Sequence, residues 1–166
     1  MPDLKLSKTI TYPEVPSGYH MQADAMAAGA LVDGVHVFPV RVYYEDTDAG
    51  GIVFYANYLK YFERARTEVL RHFDISQQDI LDRTGLAFAV RHCVVDYQAP
   101  ARLDDLLHVA TSVAAIKGAR LTLQQMIYRH GLPLVGLSVT LVCLNAQGRA
   151  TRLPDFIRNA MAHIQV

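Results

Sequence analysis

The chain has 166 residues, 51% hydrophobic and 19% charged. That balance fits one folded domain able to bury a core without disulfides or a structural metal, and it excludes a disordered chain. Sixteen Lys and Arg offset sixteen Asp and Glu, so no net charge draws the molecule to nucleic acid or an anionic membrane.

Residues 1–33 hold Pro2, Pro13, Pro16, Gly18 and Gly29 and no sustained period, which predicts a loosely ordered extension ahead of a domain over 34–166. Met21 leaves a second reading open, a later translation start. The apolar stretch 25–32 is far short of the roughly 18 residues a membrane span needs. It is flanked by Asp24 and Asp33 rather than by the basic segment of a secretory leader. The expectation is a cytoplasmic protein with no membrane insertion and no nucleic-acid partner.

From His36 the pattern sharpens. His36, Phe38, Val40, Val42 and Tyr44 alternate with Arg41 and Tyr43, which predicts a strand. A polar turn follows, Glu45-Asp46-Thr47-Asp48-Ala49-Gly50-Gly51. Then Tyr58, Phe62, Ala65, Val69 and Phe73 recur at spacings of three and four, with Glu63, Arg64, Arg66, Glu68 and Arg71 between them. This predicts an amphipathic helix over 57–73, about 25 Å long at 1.5 Å per residue. Asn57 is its expected N-cap.

Four further runs alternate in the same way: Phe88 to Val94, Leu107 to Val113, Leu121 to Ile127 and Val135 to Leu141. Lys117-Gly118 and His130-Gly131 join the last three as antiparallel hairpins. A short helix is expected within 153–164. The order predicts an α+β domain, a five-stranded antiparallel sheet wrapped around one long central helix. Cys93 and Cys143 sit inside apolar runs and read as small core residues.

The densest polar cluster is the turn from Tyr44 to Gly51. Glu45, Asp46 and Asp48 place three carboxylates close together, and the glycines let backbone approach a ligand. A solvated acidic turn and a binding site are both open on these residues alone. A calcium loop opening at Asp46 is the weaker reading, because Asn57 stands where its closing glutamate belongs. The seven histidines show no metal spacing, so neither a metal nor a redox cofactor is expected.

The wider text narrows the choice. The run from Tyr44 through Asp-Thr-Asp-Ala-Gly-Gly-Ile-Val to Tyr58 continues as Tyr61-Phe62-Glu63-Arg64-Ala65-Arg66, and Asp96-Tyr97-Gln98-Ala99-Pro100 continues to Asp105. Together these resemble the hotdog-fold acyl-CoA thioesterases of the 4-hydroxybenzoyl-CoA thioesterase family, and within it the Tol–Pal-associated branch. The resemblance implies the hotdog fold and hydrolysis of an acyl-CoA to a free acid and CoA. It also implies a catalytic carboxylate at Asp48 and a site at the boundary of a dimer or tetramer. Gly50, Gly51, Ile52, Val53 and Asn57 become the expected substrate-binding residues around it. Tyr55 occupies a position where the nearest branch usually carries histidine and the 4-hydroxybenzoyl enzymes carry tyrosine. Lys117 and Arg120 coincide with a basic hairpin that grips the nucleotide of CoA in related enzymes, and Arg149 with Arg152 form a second pair.

Chemistry agrees with that assignment. Thioester hydrolysis needs a carboxylate to activate water or attack the carbonyl, and donors for the oxyanion. Asp48 precedes the predicted helix by fewer than ten residues, near its unpaired N–H groups and positive dipole end. Tyr55 can bond the acyl carbonyl, orient Asp48, or simply cover the helix start. Asp46 is expected to hold the turn. Glu63 either supports the site or pairs with Arg66. The alternatives are a thioesterase acting on acyl carrier protein and a non-catalytic acyl-CoA-binding protein. An oligomer is expected because the strand over 88–95 is apolar on both faces.

Overall fold

Alternation of apolar residues builds a six-stranded antiparallel sheet, ordered β1-β2-β4-β5-β6-β3. In this computed structural model, which describes residues 9–15 and 28–165, the strands are β1 (Ala30–Val32), β2 (Val35–Arg41), β3 (Ala87–Tyr97), β4 (Leu106–Lys117), β5 (Arg120–Arg129) and β6 (Leu132–Leu144). Three helices accompany them, α1 (Asn57–His72), α2 (Gln77–Thr84) and α3 (Asp155–Ala162).

The two expected hairpins form. His130 and Gly131 take φ of 49° and 79°, the paired left-handed conformations that a two-residue turn between Arg129 and Leu132 requires. Gly118, at φ 59°, turns Lys117 onto Arg120.

The sheet has one strand more than the five expected. Asp33 and Gly34, at φ 49° and 78°, fold residues 30–32 back onto Val35–Val37. The predicted extension over 1–33 therefore ends by joining the sheet. Three residues are too few to show a period, so β1 escapes a pattern search.

One face of the sheet packs on α1. Tyr58, Tyr61, Phe62, Ala65 and Val69 of the helix are buried with Val40, Leu107, Val109, Leu123, Ile127, Leu137 and Val139 of the strands. Phe62 has no exposed surface, and burying such a side chain is worth about 1.5–3 kcal/mol. Ile157 and Met161 of α3 complete this core.

α2 was not anticipated, because it buries a single residue, Ile80, and carries no apolar stripe. Its ends are nonetheless marked: Asp79 N–H donates to Ser76 Oγ at 3.4 Å, and Gly85 closes it at φ 65°. Two other expectations fail. The N-cap of α1 is Ala56 rather than Asn57, which lies inside the first turn. Cys143 is buried as expected, but Cys93 is exposed, because β3 is an edge strand that among the described residues is hydrogen-bonded only to β6. Among the described residues no helix is long and apolar enough to cross a membrane.

Candidate active site

The chain leaves β2 at Arg41 and enters a short 3-10 turn, Tyr44–Asp46. Asp46 is buried there and anchors the loop twice. Its Oδ2 accepts the Tyr43 N–H at 2.9 Å. Its carbonyl accepts both the Phe54 N–H and Asn57 Nδ2, each at 2.9 Å. Asn57 thus ties the helix start to the acidic loop instead of capping the helix. The Tyr61 hydroxyl faces Asp46 without closing a hydrogen bond of standard geometry. Burial, with the Asp46 carboxylate next, pushes its pKa well up.

Between these anchors the loop is tight. Asp48 N–H donates to the Ile52 carbonyl at 3.0 Å, and Gly51 N–H donates to the Asp48 carbonyl at 2.9 Å. Gly51 takes φ 71°, a conformation that costs glycine nothing. Gly50 N–H donates to Asp48 Oδ1 at 2.8 Å. One carboxylate oxygen is therefore held by backbone, while Oδ2 accepts no hydrogen bond among the described residues and the side chain is exposed. The carboxylate is fixed through one oxygen and open at the other.

Ile52 and Val53 dock the loop on the second segment singled out by sequence. Ile52 bridges Arg102, Val53 N–H donates to the Ala101 carbonyl at 2.9 Å, and Ala101 N–H donates to Tyr58 Oη at 2.8 Å. Arg129 Nη1 meets Asp105 Oδ2 at 2.7 Å and steadies the same connection. Arg129 and the Arg102 N–H lower the Asp105 pKa against the opposing pull of desolvation, the largest single influence.

The helix start supplies donors. Asn57 and Leu59 N–H groups return to the Phe54 and Ala56 carbonyls, while those of Tyr55, Ala56 and Tyr58 meet no acceptor among the described residues. Free first-turn N–H groups at the positive end of a helix suit a developing oxyanion. Tyr55 is 63% exposed, and its ring lies against Phe54 at 4.7 Å and Tyr97 at 6.4 Å. Tyr97 Oη donates to the Tyr55 carbonyl at 3.0 Å, which joins this aromatic rim to β3. No hydrogen bond links the Tyr55 hydroxyl to Asp48 among the described residues.

The basic candidates lie elsewhere. Lys117 and Arg120 close the hairpin at the far end of β4, whose first residue, Leu106, pairs with Arg41 beside the loop. At 3.3 Å per residue that strand spans on the order of 35 Å. One protomer does not bring these cations to its own Asp48. It does bring the two basic pairs together, since Leu153 N–H donates to the Gly118 carbonyl at 3.1 Å and so sets Arg152 beside the hairpin.

Of the two readings of Glu63, the ion pair with Arg66 does not form among the described residues. Glu63 accepts Thr67 Oγ1 at 2.8 Å, and Arg66 Nη1 reaches Gln125 Oε1 at 2.9 Å. Gln125 is fully buried and also donates to Thr111 Oγ1 and the Phe62 carbonyl. Burial pushes the Arg66 pKa down, with Glu63 opposing. Arg66, Glu63, Phe88, Val90, Leu123 and Met161 line part of a cavity of about 140 Å³ between α1 and the sheet. Sequence reasoning missed the Arg66–Gln125 pair; its signal was a glutamine in an otherwise apolar inward row. No group of three metal-ligating side chains occurs among the described residues.

Known proteins match this architecture. The model of the thioesterase-like superfamily covers residues 42–161. The acyl-CoA thioesterase YbgC of Haemophilus influenzae is 43% identical over 136 residues, 81% of this chain and 100% of its own length. The acyl-CoA thioester hydrolase YbgC of Escherichia coli O157:H7 is 47% identical over 109 residues, 65% of this chain and 81% of its own. The crystal structure of a probable thioesterase from Bartonella henselae superposes with a TM-score of 0.70 at 36% identity, covering 72% of this chain and 99% of that one. With the hotdog fold and a thioester hydrolase's layout, this chain belongs to the thioesterase-like superfamily.

Proposed function

We propose that Asp48 is the catalytic carboxylate with which this thioesterase converts an acyl-CoA into a free acid and CoA. The supporting observation is its environment: Oδ1 held by Gly50 N–H, the other oxygen open, and unpaired helix N–H groups a few residues ahead. As general base, Asp48 takes a proton from water while the water oxygen bonds to the thioester carbon. The carbonyl oxygen gathers charge at the helix start, the C–S bond breaks, and the departing thiolate takes the proton back. As nucleophile, an Asp48 oxygen bonds to the acyl carbon as the C–S bond breaks and CoA leaves as thiolate; water then opens the mixed anhydride, giving the free acid, restoring the carboxylate and supplying the proton the thiolate takes up. Gly50 and Gly51 leave an exposed backbone path for the substrate, Ile52 and the buried Val53 hold that path on the segment beneath it, and Tyr55 forms its aromatic rim.

The working unit in this reading is a homo-oligomer, a dimer or a tetramer of such dimers. Val90, Val94 and Tyr97 along β3 are 56%, 42% and 46% exposed, and Tyr97 adjoins the Tyr55 rim. A second copy pairing along this free edge covers them. It also supplies the Lys117 and Arg120 that one protomer holds away from its own Asp48. CoA thioesters are cytoplasmic metabolites, and the cytoplasm is the compartment this reading carries.

The test compares thiol release by the purified chain from an acyl-CoA and from the same acyl group on an acyl carrier protein. The expected result is turnover with kcat/KM at least tenfold higher for the CoA ester, a margin of about 1.4 kcal/mol. Binding without thiol release contradicts the reaction, and the reverse preference contradicts the carrier.

A further inference from the structure

Just ahead of α1, the N–H groups of Tyr55 and Ala56 meet no acceptor among the described residues. Each shares a peptide unit with the carbonyl of the residue before it, and both peptides are trans. In a trans peptide the N–H and the C=O point in opposite directions. Whatever grips the carbonyl therefore aims the N–H.

The two units are held differently. The Phe54 carbonyl accepts the Asn57 N–H at 2.8 Å, so the turn itself fixes the Tyr55 N–H. The Tyr55 carbonyl has no backbone partner among the described residues. A regular α-helix would set the Leu59 N–H on it, but Leu59 donates to the Ala56 carbonyl instead, at 3.2 Å. What takes the Tyr55 carbonyl is Tyr97 Oη, at 3.0 Å, from the last residue of β3. The sheet holds Tyr97 through its pairing with Val135, and its ring lies edge-on to Tyr58 at 5.9 Å and to Tyr55 at 6.4 Å. Backbone and rings thus place the hydroxyl. Burial, then the neighbouring Tyr55, raises the phenol pKa, so the group stays a donor across the neutral range. A donor on a peptide carbonyl also draws charge through the amide and strengthens the N–H at its other end.

We propose that Tyr97 is a positioning residue for thioester hydrolysis: its hydroxyl holds the Tyr55–Ala56 peptide so that the Ala56 N–H meets the thioester oxygen. The inference rests on the reading of the helix start as the oxyanion site, and it names the side chain that aims one of the donors. Charge on that oxygen grows toward the transition state, so an aimed and polarised N–H gives more there than in the bound ester. The hydroxyl therefore acts on kcat, whereas the ring, packed along the rim, acts on binding.

Tyr97→Phe keeps the ring and deletes the hydroxyl, while Tyr97→Leu deletes both. Steady-state thiol release from an acyl-CoA by Tyr97→Phe should show kcat lowered about three- to tenfold, the effect of one neutral hydrogen bond, with KM within about twofold of wild type. Tyr97→Leu should lower kcat as far and raise KM as well. A wild-type kcat in Tyr97→Phe, or a loss confined to KM, overturns the proposal. A second readout needs no turnover. An acyl-CoA isotope-labelled at its thioester carbonyl is bound to Asp48→Asn protein, with and without Tyr97→Phe, and followed by difference infrared spectroscopy. The carbonyl stretch should move to higher frequency when the hydroxyl is removed, because the bond from the Ala56 N–H weakens. An unmoved stretch overturns the proposal, since a role in packing alone leaves it in place. If the wild type releases no thiol, the proposed reaction fails while the infrared comparison still reads the donor.

Discussion

His36 has no exposed surface, and neither ring nitrogen closes a hydrogen bond of standard geometry, although the Ala28 backbone faces it. Burial first, then the neighbouring His72 at 5.6 Å between ring centroids, lowers its pKa to about 4. The unfolded chain protonates near 6.5, above the folded value. Stability from the neutral ring is therefore whole above pH 6.5 and is lost as pH falls through 4, about 3 kcal/mol in all. His36→Leu should flatten the fall in urea midpoint between pH 7.5 and 4.5, and an unchanged fall would assign it to other groups. At Asp46, replacement by Ala strands the Tyr43 N–H and should cost about 1–2 kcal/mol in urea unfolding, with a smaller effect on turnover. Tyr55→Phe should lower kcat by no more than one lost hydrogen bond, about 0.5–1.5 kcal/mol, and Tyr55→His should stay active in the same assay. The turn-holding role of Asp46 was legible from the sequence of the turn itself. The role of Asn57 was not, because an asparagine ahead of an apolar stripe looks alike whether it caps the helix or donates its amide N–H back to the Asp46 carbonyl.

Elements with several turns or alternations were legible, and short ones were not. The sixteen residues of α1 and the hairpins at Gly118 and Gly131 follow from spacing and turn chemistry. β1 and α2 bury too little side chain to print a period, and only the Asp33-Gly34 turn and the Ser76 cap announce them. The hairpin of Lys117 and Arg120 carries its own prediction. Contacts to CoA phosphates act equally in ground and transition states, so Lys117→Ala with Arg120→Ala should raise KM for acyl-CoA about tenfold or more, one charge-assisted contact being worth about 1.5–3 kcal/mol. KM for a truncated acyl-pantetheine should not move. Equal loss on both substrates moves the phosphate site to another surface.

At the scale of the molecule, a strand apolar on both faces pointed to association, and β3 is exposed along most of its length in one protomer. What sequence could not convey is distance: the basic hairpin and the acidic loop are both readable, yet they stand at opposite ends of β4. Charges placed on the edge should separate the copies. Val90→Lys with Val94→Lys is expected to give a folded particle of 18.5 kDa without thiol release, and full activity at that mass would contradict a shared site. The central claim remains the carboxylate itself. Asp48→Asn keeps the shape of the side chain and the Gly50 hydrogen bond while removing the charge. Single-turnover thiol release from an acyl-CoA, on Asp48→Asn protein of wild-type mass and urea midpoint, should fall by about 10²–10⁴-fold. A rate constant equal to wild type would contradict the account.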